Sequence, residues 1–326
     1  MYHLLSPLVY LEYSHDMGTN VKDTRVYIGL SGGVDSAVSA ALLKRAGARV
    51  TGVFIKGWYP PGMPCTWALE RRDAMRVAAK LHIPFITLDA SAEYKKAVIE
   101  YLLAEYRVGR TPNPDVMCNR EIKFGVFYRF AKASGAEFIA TGHYRTGEKD
   151  QSYFLWAVPR AILAETLFPL AGMQKSAVRR LARRYKLPVA MKKDSQGVCF
   201  LGAVSVKDFL THEFGANEAI LRTIGERVGE GFVVSKNVAR KQIVTSSERV
   251  PRERMPGRIT FSQANWLLAP ELVTRAQCRY RGTYVRGVVQ GSSFIPHDRL
   301  DELPVPGQSI VFFAGTELAG GGIIEP

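Results

Sequence analysis

The stretch Ile28-Gly-Leu-Ser-Gly-Gly-Val-Asp-Ser36 decides how this chain is read. An apolar run, Val26 to Leu30, leads into it, and an Ala/Leu-rich run, Ala37 to Lys44, follows it. That order is strand, Gly-rich turn, helix. Backbone N–H groups of such a turn, with the N-terminus of the next helix, form a cradle for phosphate. The spacing is not the Walker pattern, which needs Gly-Lys-Ser/Thr after four intervening residues. Nor is it the three spaced glycines of a dinucleotide loop. A turn that needed only two glycines would require neither Ser31 and Ser36 nor Asp35.

Outward from this loop, residues 25–145 alternate short apolar strands with amphipathic helices. Arg49–Lys56, Phe85–Leu88 and Phe138–Thr141 read as further strands. Trp67–Leu81, Ala92–Tyr106 and Lys123–Ser134 read as helices. Strands separated by helices of this length predict an α/β fold with a doubly wound parallel sheet. In such sheets ligands bind beyond the carboxyl ends of strands. The Ser31 loop, Lys56 and Gly142-His143 all fall at such ends. Gln151–Trp156 and Lys175–Tyr185 add two helical stretches. From about residue 216 the pattern turns β-like, with Gly and Pro between short runs: Phe232–Val234, Gln242–Val244, Arg258–Phe261, Tyr284–Val289 and Ser309–Phe313. This predicts one or two small β-rich domains ending in a barrel or sandwich.

The bulk properties narrow the partners. The 326 residues carry a formal net charge of +14, from 44 Lys+Arg against 30 Asp+Glu. A soluble chain with this excess suits a polyanionic partner. The charge is clustered: Lys175, Arg179, Arg180, Arg183 and Arg184 lie on one stretch. Arg222, Arg227, Lys236, Arg240, Lys241, Arg249, Arg252, Arg254 and Arg258 form another, as phosphate contacts along a folded RNA would require. No apolar run reaches the roughly 18 residues of a membrane span. Residues 1–16 lack a basic n-region and a small-residue cleavage site, which argues against a secretory signal; Met17 is an alternative start. Four cysteines, Cys65, Cys118, Cys199 and Cys278, with no C-x-x-C pair, suit a reducing, cytoplasmic compartment rather than a disulfide scaffold or zinc ribbon.

Two of these cysteines stand in unusual company. Thr111-Pro-Asn-Pro-Asp-Val-Met-Cys-Asn-Arg120 is stiffened by two prolines and reads as a rigid loop holding a carboxylate near a thiol. Lys192-Lys-Asp-Ser-Gln-Gly-Val-Cys-Phe-Leu201 puts two lysines ahead of Cys199, which favours thiolate if they lie close. Cys65 and Cys278 read as structural.

With these segments in order, the chain resembles the tRNA-specific 2-thiouridylase family, whose first motif is the pyrophosphate-binding loop of enzymes that split ATP between the α and β phosphates. The matching segments are Gly29–Ser36, Gly57-Trp58, 109–115, Cys118-Asn119, 122–124, 140–144, 150–155, 193–195, 197–200, 279–281, 306–308 and 320–324. The resemblance implies a pyrophosphate-loop (adenine nucleotide α-hydrolase-like) sheet, a reduced central domain and a C-terminal β-barrel. It divides the chain into an extension at 1–24, a catalytic domain at 25–205, a shortened central tRNA-binding domain at 206–255 and a barrel at 256–326.

The resemblance also implies roles. Gly29, Leu30, Ser31, Gly32, Gly33, Val34, Asp35 and Ser36 would hold ATP phosphates with Mg²⁺. Ile55 and Gly142 would line the nucleotide. Asn113, Pro114 and Asp115 would surround the target uridine, with Asp115 as a general acid or base. Cys118 would be the nucleophile and Cys199 the persulfide carrier. His143, Lys149, Asp150, Gln151, Arg279, Tyr280 and Gln308 would touch tRNA. The implied substrates are the tRNAs for Lys, Glu and Gln, and the implied sulfur donor is a cysteine desulfurase or sulfur-relay protein. The chain departs from the family in its short 145–149 loop, in Glu226 where relatives carry Gln, and in its abbreviated central domain. Two other readings compete. In one, Cys65, Cys118 and Cys199 ligate a 4Fe–4S cluster. In the other, the chain is a non-catalytic RNA-binding relative, against which the retained Asp35, Cys118 and Cys199 argue.

If the 222–258 stripe contacts RNA, reversing Arg249, Arg252 and Arg254 to Glu weakens tRNA binding and flattens its salt dependence. Filter binding over a salt series measures both. Unchanged affinity and slope would refute the contact.

Overall fold

The computed structural model describes residues 20–63, 65–145, 150–193, 205–249 and 256–326. The chain forms two compact units, one of residues 1–95 and 118–203, the other of residues 96–117 and 204–326.

The first unit is built on five parallel strands: β1 (Arg25–Gly29), β2 (Arg49–Lys56), β3 (Phe85–Asp89), β4 (Phe138–Ala140) and β5 (Thr166–Leu167). Their order is β3-β2-β1-β4-β5. The order reverses at β1, where Tyr27 pairs with Thr51 on one side and Ile139 on the other. The loops leaving β1 and β4 therefore depart in opposite directions and open a crevice between them. This switch point is where the 31–36 loop and Gly142 lie. Val26 and Ile28 of β1 are fully buried. Helix α1 (Val34–Arg45) covers them with small residues, Ala37, Ala40 and Ala41, so it is buried almost all round. Val178 and Ala182 of the helix Lys175–Arg184 join the same core. Helix α2 (Trp67–Leu81) is more exposed and turns in only Ala74, Val77 and Ala78.

The second unit holds a three-stranded sheet of β6 (Arg227–Val228), β7 (Gly231–Asn237) and β8 (Gln242–Ser246). It also holds a closed antiparallel barrel of β9 (Ile259–Trp266), β10 (Arg275–Gln277), β11 (Val285–Gln290), β12 (Ser293–Pro296), β13 (Ser309–Ala314) and β14 (Glu317–Ile324). Closure leaves no free strand edge. Phe312, fully buried, fills the interior against Phe261, Trp266 and Phe294.

The α/β sheet and the barrel are as the sequence predicts. Differences lie in detail and have local causes. β14 escapes sequence reading because Leu-Ala-Gly-Gly-Gly has little strand propensity, and it forms through pairing with β9 and β13. Two helical stretches contain π-helical runs, Lys95–Glu100 and Cys118–Val126. Gln151–Trp156 is only a 3₁₀ turn, Ser152–Leu155. The expected rigid loop at 111–120 is a correction: it turns helical at Pro114. The Asn113 side chain accepts from the N–H groups of Asp115 and Val116, at 3.2 and 3.4 Å. Asn113 is an N-cap, Pro114 sits where a missing N–H costs nothing, and Asp115 lies in the acidic first turn. Among the described residues, no helix is long and apolar enough to cross a membrane.

Candidate functional site

The 31–36 loop is internally braced. Ser36 Oγ accepts from Ser31 N–H (3.2 Å), donates to the Gly33 carbonyl (3.2 Å) and meets Ser31 Oγ (3.2 Å). Both serines thus set loop shape, which explains why the motif needs them. Gly33 precedes the first turn of α1 and no side chain caps that turn. Its N–H groups are thereby kept for a ligand. Gly32 has φ +75°, and a methyl there would overlap the Glu70 carbonyl oxygen. The loop fits against α2 only because that residue lacks a side chain. At Gly142 an added Cβ would lie 3.0 Å from the Ser36 amide nitrogen. The segment after β4 therefore closes directly over the loop.

Asp35 is the electrostatic centre. Lys175 Nζ lies 2.5 and 2.8 Å from its two carboxylate oxygens, and the Tyr144 hydroxyl donates to Oδ1 at 2.6 Å. The Lys175 ammonium also stands 5.4 Å from the Tyr144 ring centroid. On the other side of the loop, Lys192 Nζ donates to the Gly32 carbonyl (3.1 Å) and pairs with Asp73 (2.8 Å). Two ammonium groups therefore flank a backbone cradle at the switch point. Such a set suits a polyphosphate, and ATP fits these residues. Lys192 also ties to the loop the chain that leads on to Cys199, seven residues later.

The sequence pattern does not mark Lys175 or Tyr144 as site residues; Lys175 reads only as part of a basic cluster. One signal was available. Lys175 is the first residue of its helix, with no acidic residue in that turn. A cation is unfavourable at a helix N-terminus unless an anion holds it.

The other sequence-predicted residues are placed as follows. Ile55 is half-buried near the end of β2, with Lys56 paired to Asp89 at 2.8 Å. That bond, together with two from Ser91, lowers Asp89 to about 2. Cys118 is 3% exposed and opens the π-helical run, not a Pro-rich loop as expected. Its neighbour Asn119 donates to the Phe154 carbonyl at 3.0 Å, while its buried Oδ1 has no partner among the described residues. His143 is buried between Phe124 and Phe168, with Nδ1 2.9 Å from Thr141 Oγ1, rather than presented at a surface. Burial, and then the nearby Lys123 charge, lower it to about 3, so it is neutral at physiological pH. Gln151 Oε1 accepts from the Tyr144 N–H at 3.1 Å and Asp150 accepts from the Ser152 N–H at 2.8 Å. Lys149 and Cys199 lie outside the described residues.

In the second unit, Arg279 pairs with Glu302 at 3.3 Å and donates to the Ile224 carbonyl. Tyr280 is half-buried under the Arg281 guanidinium, 5.2 Å from its ring centroid. Gln308 is bonded to the Thr111 carbonyl at 2.7 Å. The basic stripe is partly internal: Arg222 is held between Glu218 and Glu226, each at 2.7 Å. Lys236 is lowered to about 8 by burial, with Glu226 opposing. Arg227, Arg240, Lys241, Arg249 and Arg258 remain exposed. Cys278 is buried, which raises it to about 12 and suits a structural role.

Residues 24–203 match the family described as the tRNA methyl transferase HUP domain. The tRNA-specific 2-thiouridylase MnmA of Hahella chejuensis is 37% identical over 356 residues, covering 93% of this chain and 98% of the relative. The enzyme of the same name from Geobacillus thermodenitrificans is 36% identical over 353 residues, covering 93% and 95%. This chain belongs to the tRNA-specific 2-thiouridylase family. The family is one of tRNA sulfurtransferases built on an ATP-using pyrophosphate loop. Among solved structures, the U34-tRNA thiolase NcsA from Methanococcus maripaludis, with its 4Fe–4S cluster, is 16% identical at a TM-score of 0.40, covering 63% of this chain and 70% of that one. A likeness so slight says nothing of a cluster here. Among the described residues, no three of His, Cys, Asp or Glu are grouped to hold a metal, and Cys65 is exposed while Cys118 is buried. The iron–sulfur reading has no support among the described residues.

Two outcomes follow. Lys175→Met leaves Asp35 without its cation and is expected to lower ATP-dependent turnover at least about tenfold with circular dichroism unchanged; an unchanged rate would make the pair purely structural. His143 stays neutral across pH 5–8, so its imidazole ¹⁵N shifts should not titrate there. The unfolded ring takes up a proton near its ordinary value of 6.5 and the folded ring does not until about 3. Stability is thus lost as pH falls below about 6.5. A ring titrating near 6.5 in the folded protein would overturn the burial argument.

Proposed function

We propose that this protein is an ATP-dependent tRNA-uridine 2-sulfurtransferase acting on the wobble uridine. The observation that carries the reading is the braced 31–36 loop with Asp35 held by Lys175 and Tyr144, in a chain of this family. The three-part division at 25–205, 206–255 and 256–326 goes with it.

A uridine carbonyl oxygen is a poor leaving group. Attack of O2 on the α-phosphorus of ATP expels pyrophosphate and leaves O2 carrying AMP. The α1 N-terminus and the loop amides would hold the departing pyrophosphate, and Lys175 and Lys192 would balance its charge. Mg²⁺ would offset the remaining phosphate charge. Ile55 and Gly142 would line the adenosine.

Sulfur then replaces AMP at C2. In one course the terminal sulfur of a Cys199 persulfide attacks C2 as AMP leaves. The Cys118 thiolate then attacks Cys199 Sγ, breaking the S–S bond to free 2-thiouridine and leave a Cys118–Cys199 disulfide. In the other the Cys118 thiolate attacks Cys199 Sγ of the persulfide first and releases hydrosulfide. In the second course a Cys118–Cys199 disulfide forms, hydrosulfide attacks C2 as AMP leaves, and an external thiol reduces the disulfide. Cys118 beside a π-helical distortion accords with such a role, since these runs concentrate at functional sites. Asp115, in the first turn after the Asn113 cap, would move a proton at the base. The uridine must leave the anticodon stack to be reached. A desulfurase or relay protein would charge Cys199, and the tRNAs for Lys, Glu and Gln are the expected substrates.

Retention of Asp35 and Cys118 weighs against a silent RNA-binding relative. Nucleoside mass spectrometry of tRNA from a strain lacking the gene, complemented with wild type, Cys118→Ser or Cys199→Ser, tests the assignment. The wild type restores 2-thiouridine and neither variant does. A Cys199→Ser protein that still produced it would sink the persulfide role.

A further inference from the structure

Residues Arg110 to Pro112 lead into the Asn113-Pro114-Asp115 turn, and several of their polar groups are engaged by the β-structure of the second unit. Thr111 is 5% exposed. Its N–H donates to the Pro306 carbonyl at 2.8 Å, and its carbonyl accepts from Gln308 Nε2 at 2.7 Å. Its hydroxyl accepts from Lys236 Nζ, on β7, at 3.3 Å. The same Gln308 amide reaches the Pro112 carbonyl at 3.3 Å. Arg110 is 17% exposed in its side chain and sits between Glu105 (2.7 Å) and Glu325 (2.5 Å). Glu325 is held in turn by Ser262 of β9, and the Arg110 guanidinium holds its carboxyl below the usual carboxylate range. Gly307 has φ +91°, and a Cβ there would lie 2.9 Å from the Thr111 nitrogen, so the two backbones touch.

We propose that Gln308, Lys236 and Arg110 are positioning residues that fasten the Asn113–Asp115 turn to the barrel and the three-stranded sheet. The inference rests on the reading that this turn receives the target base. It gives Gln308 a different task from the tRNA contact that family resemblance implies: its amide is spent on two carbonyls of its own chain. The fastening comes from three separate elements, the 306–308 turn before β13, strand β7, and Glu325 just past β14. The next residues, Asn113 to Asp115, are fixed from the other side by the Asn113 cap. Two-sided restraint of this kind presents a base-binding surface with little freedom left to lose. Misplacement by about 1 Å can cost two orders of magnitude in rate.

The test uses full-length protein and unmodified substrate tRNA, with Gln308→Ala and Lys236→Met made separately because they enter from different elements. Three quantities are read: hydrogen–deuterium exchange of peptides spanning 110–117, tRNA Kd by filter binding, and single-turnover thiolation at saturating tRNA. Each variant is expected to speed exchange in 110–117 and to slow the saturating rate at least about tenfold, with Kd within about threefold of wild type. A Kd loosened tenfold with the saturating rate kept would make Gln308 a direct RNA contact and overturn the proposal. Unchanged exchange would overturn it as well. If Gln308→Ala does not fold, Gln308→Met, of similar volume, takes its place. If wild-type protein does not thiolate tRNA, the reading of the turn fails, while exchange still decides whether these residues fasten it.

Discussion

The carboxylate of Asp35 is the constraint on which the nucleotide end of this protein depends. It lies in the first turn of α1, where the helix field favours an anion. It is nonetheless matched by Lys175 and by the Tyr144 hydroxyl, residues 140 and 109 positions away. One carboxylate thereby joins the loop after β1, the segment after β4 and the helix after β5. All three meet because β1 and β4 are neighbours running in parallel, so their following loops open at the same edge. Remove the parallel pairing and these groups have no reason to converge.

A polyphosphate entering this edge would meet amide dipoles and ammonium groups already in place. Preorganisation matters because the groups need not be gathered during the reaction. The cost is a half-buried carboxylate and ammonium and a buried phenol held at close quarters beneath a loop whose Gly32 must adopt a left-handed conformation. The tight brace of Ser31 and Ser36 is what keeps that loop in shape.

Much of the fold was legible in the sequence. β2 and α2 fall where hydrophobic periodicity puts them, because both report a local period against a buried face. The barrel was legible as a class, though β14 was not, since Gly320, Gly321 and Gly322 have no side-chain pattern to read and pair through backbone alone. At the site, the 31–36 loop was legible because its chemistry is contiguous. The 111–120 segment is not the loop its two prolines predict: Asn-Pro-Asp also spells a helix start, and the helix begins at Pro114. Cys118 therefore lies inside a helix and is buried.

The sequence by itself determined the phosphate cradle, the alternation that makes a parallel sheet, and the pair of unusual cysteines, all of which are written in residues close together along the chain. Only the tertiary structure decided which charges are spent. Lys175 and Lys192 turn inward to the loop, Arg222 and Arg279 are bound to glutamates, and Gln308 holds Thr111 from 197 residues away. A charge count treats every lysine and arginine alike. Whether one meets solvent, a carboxylate or a carbonyl depends on which strands close beside it, and that information is carried by packing rather than by local sequence.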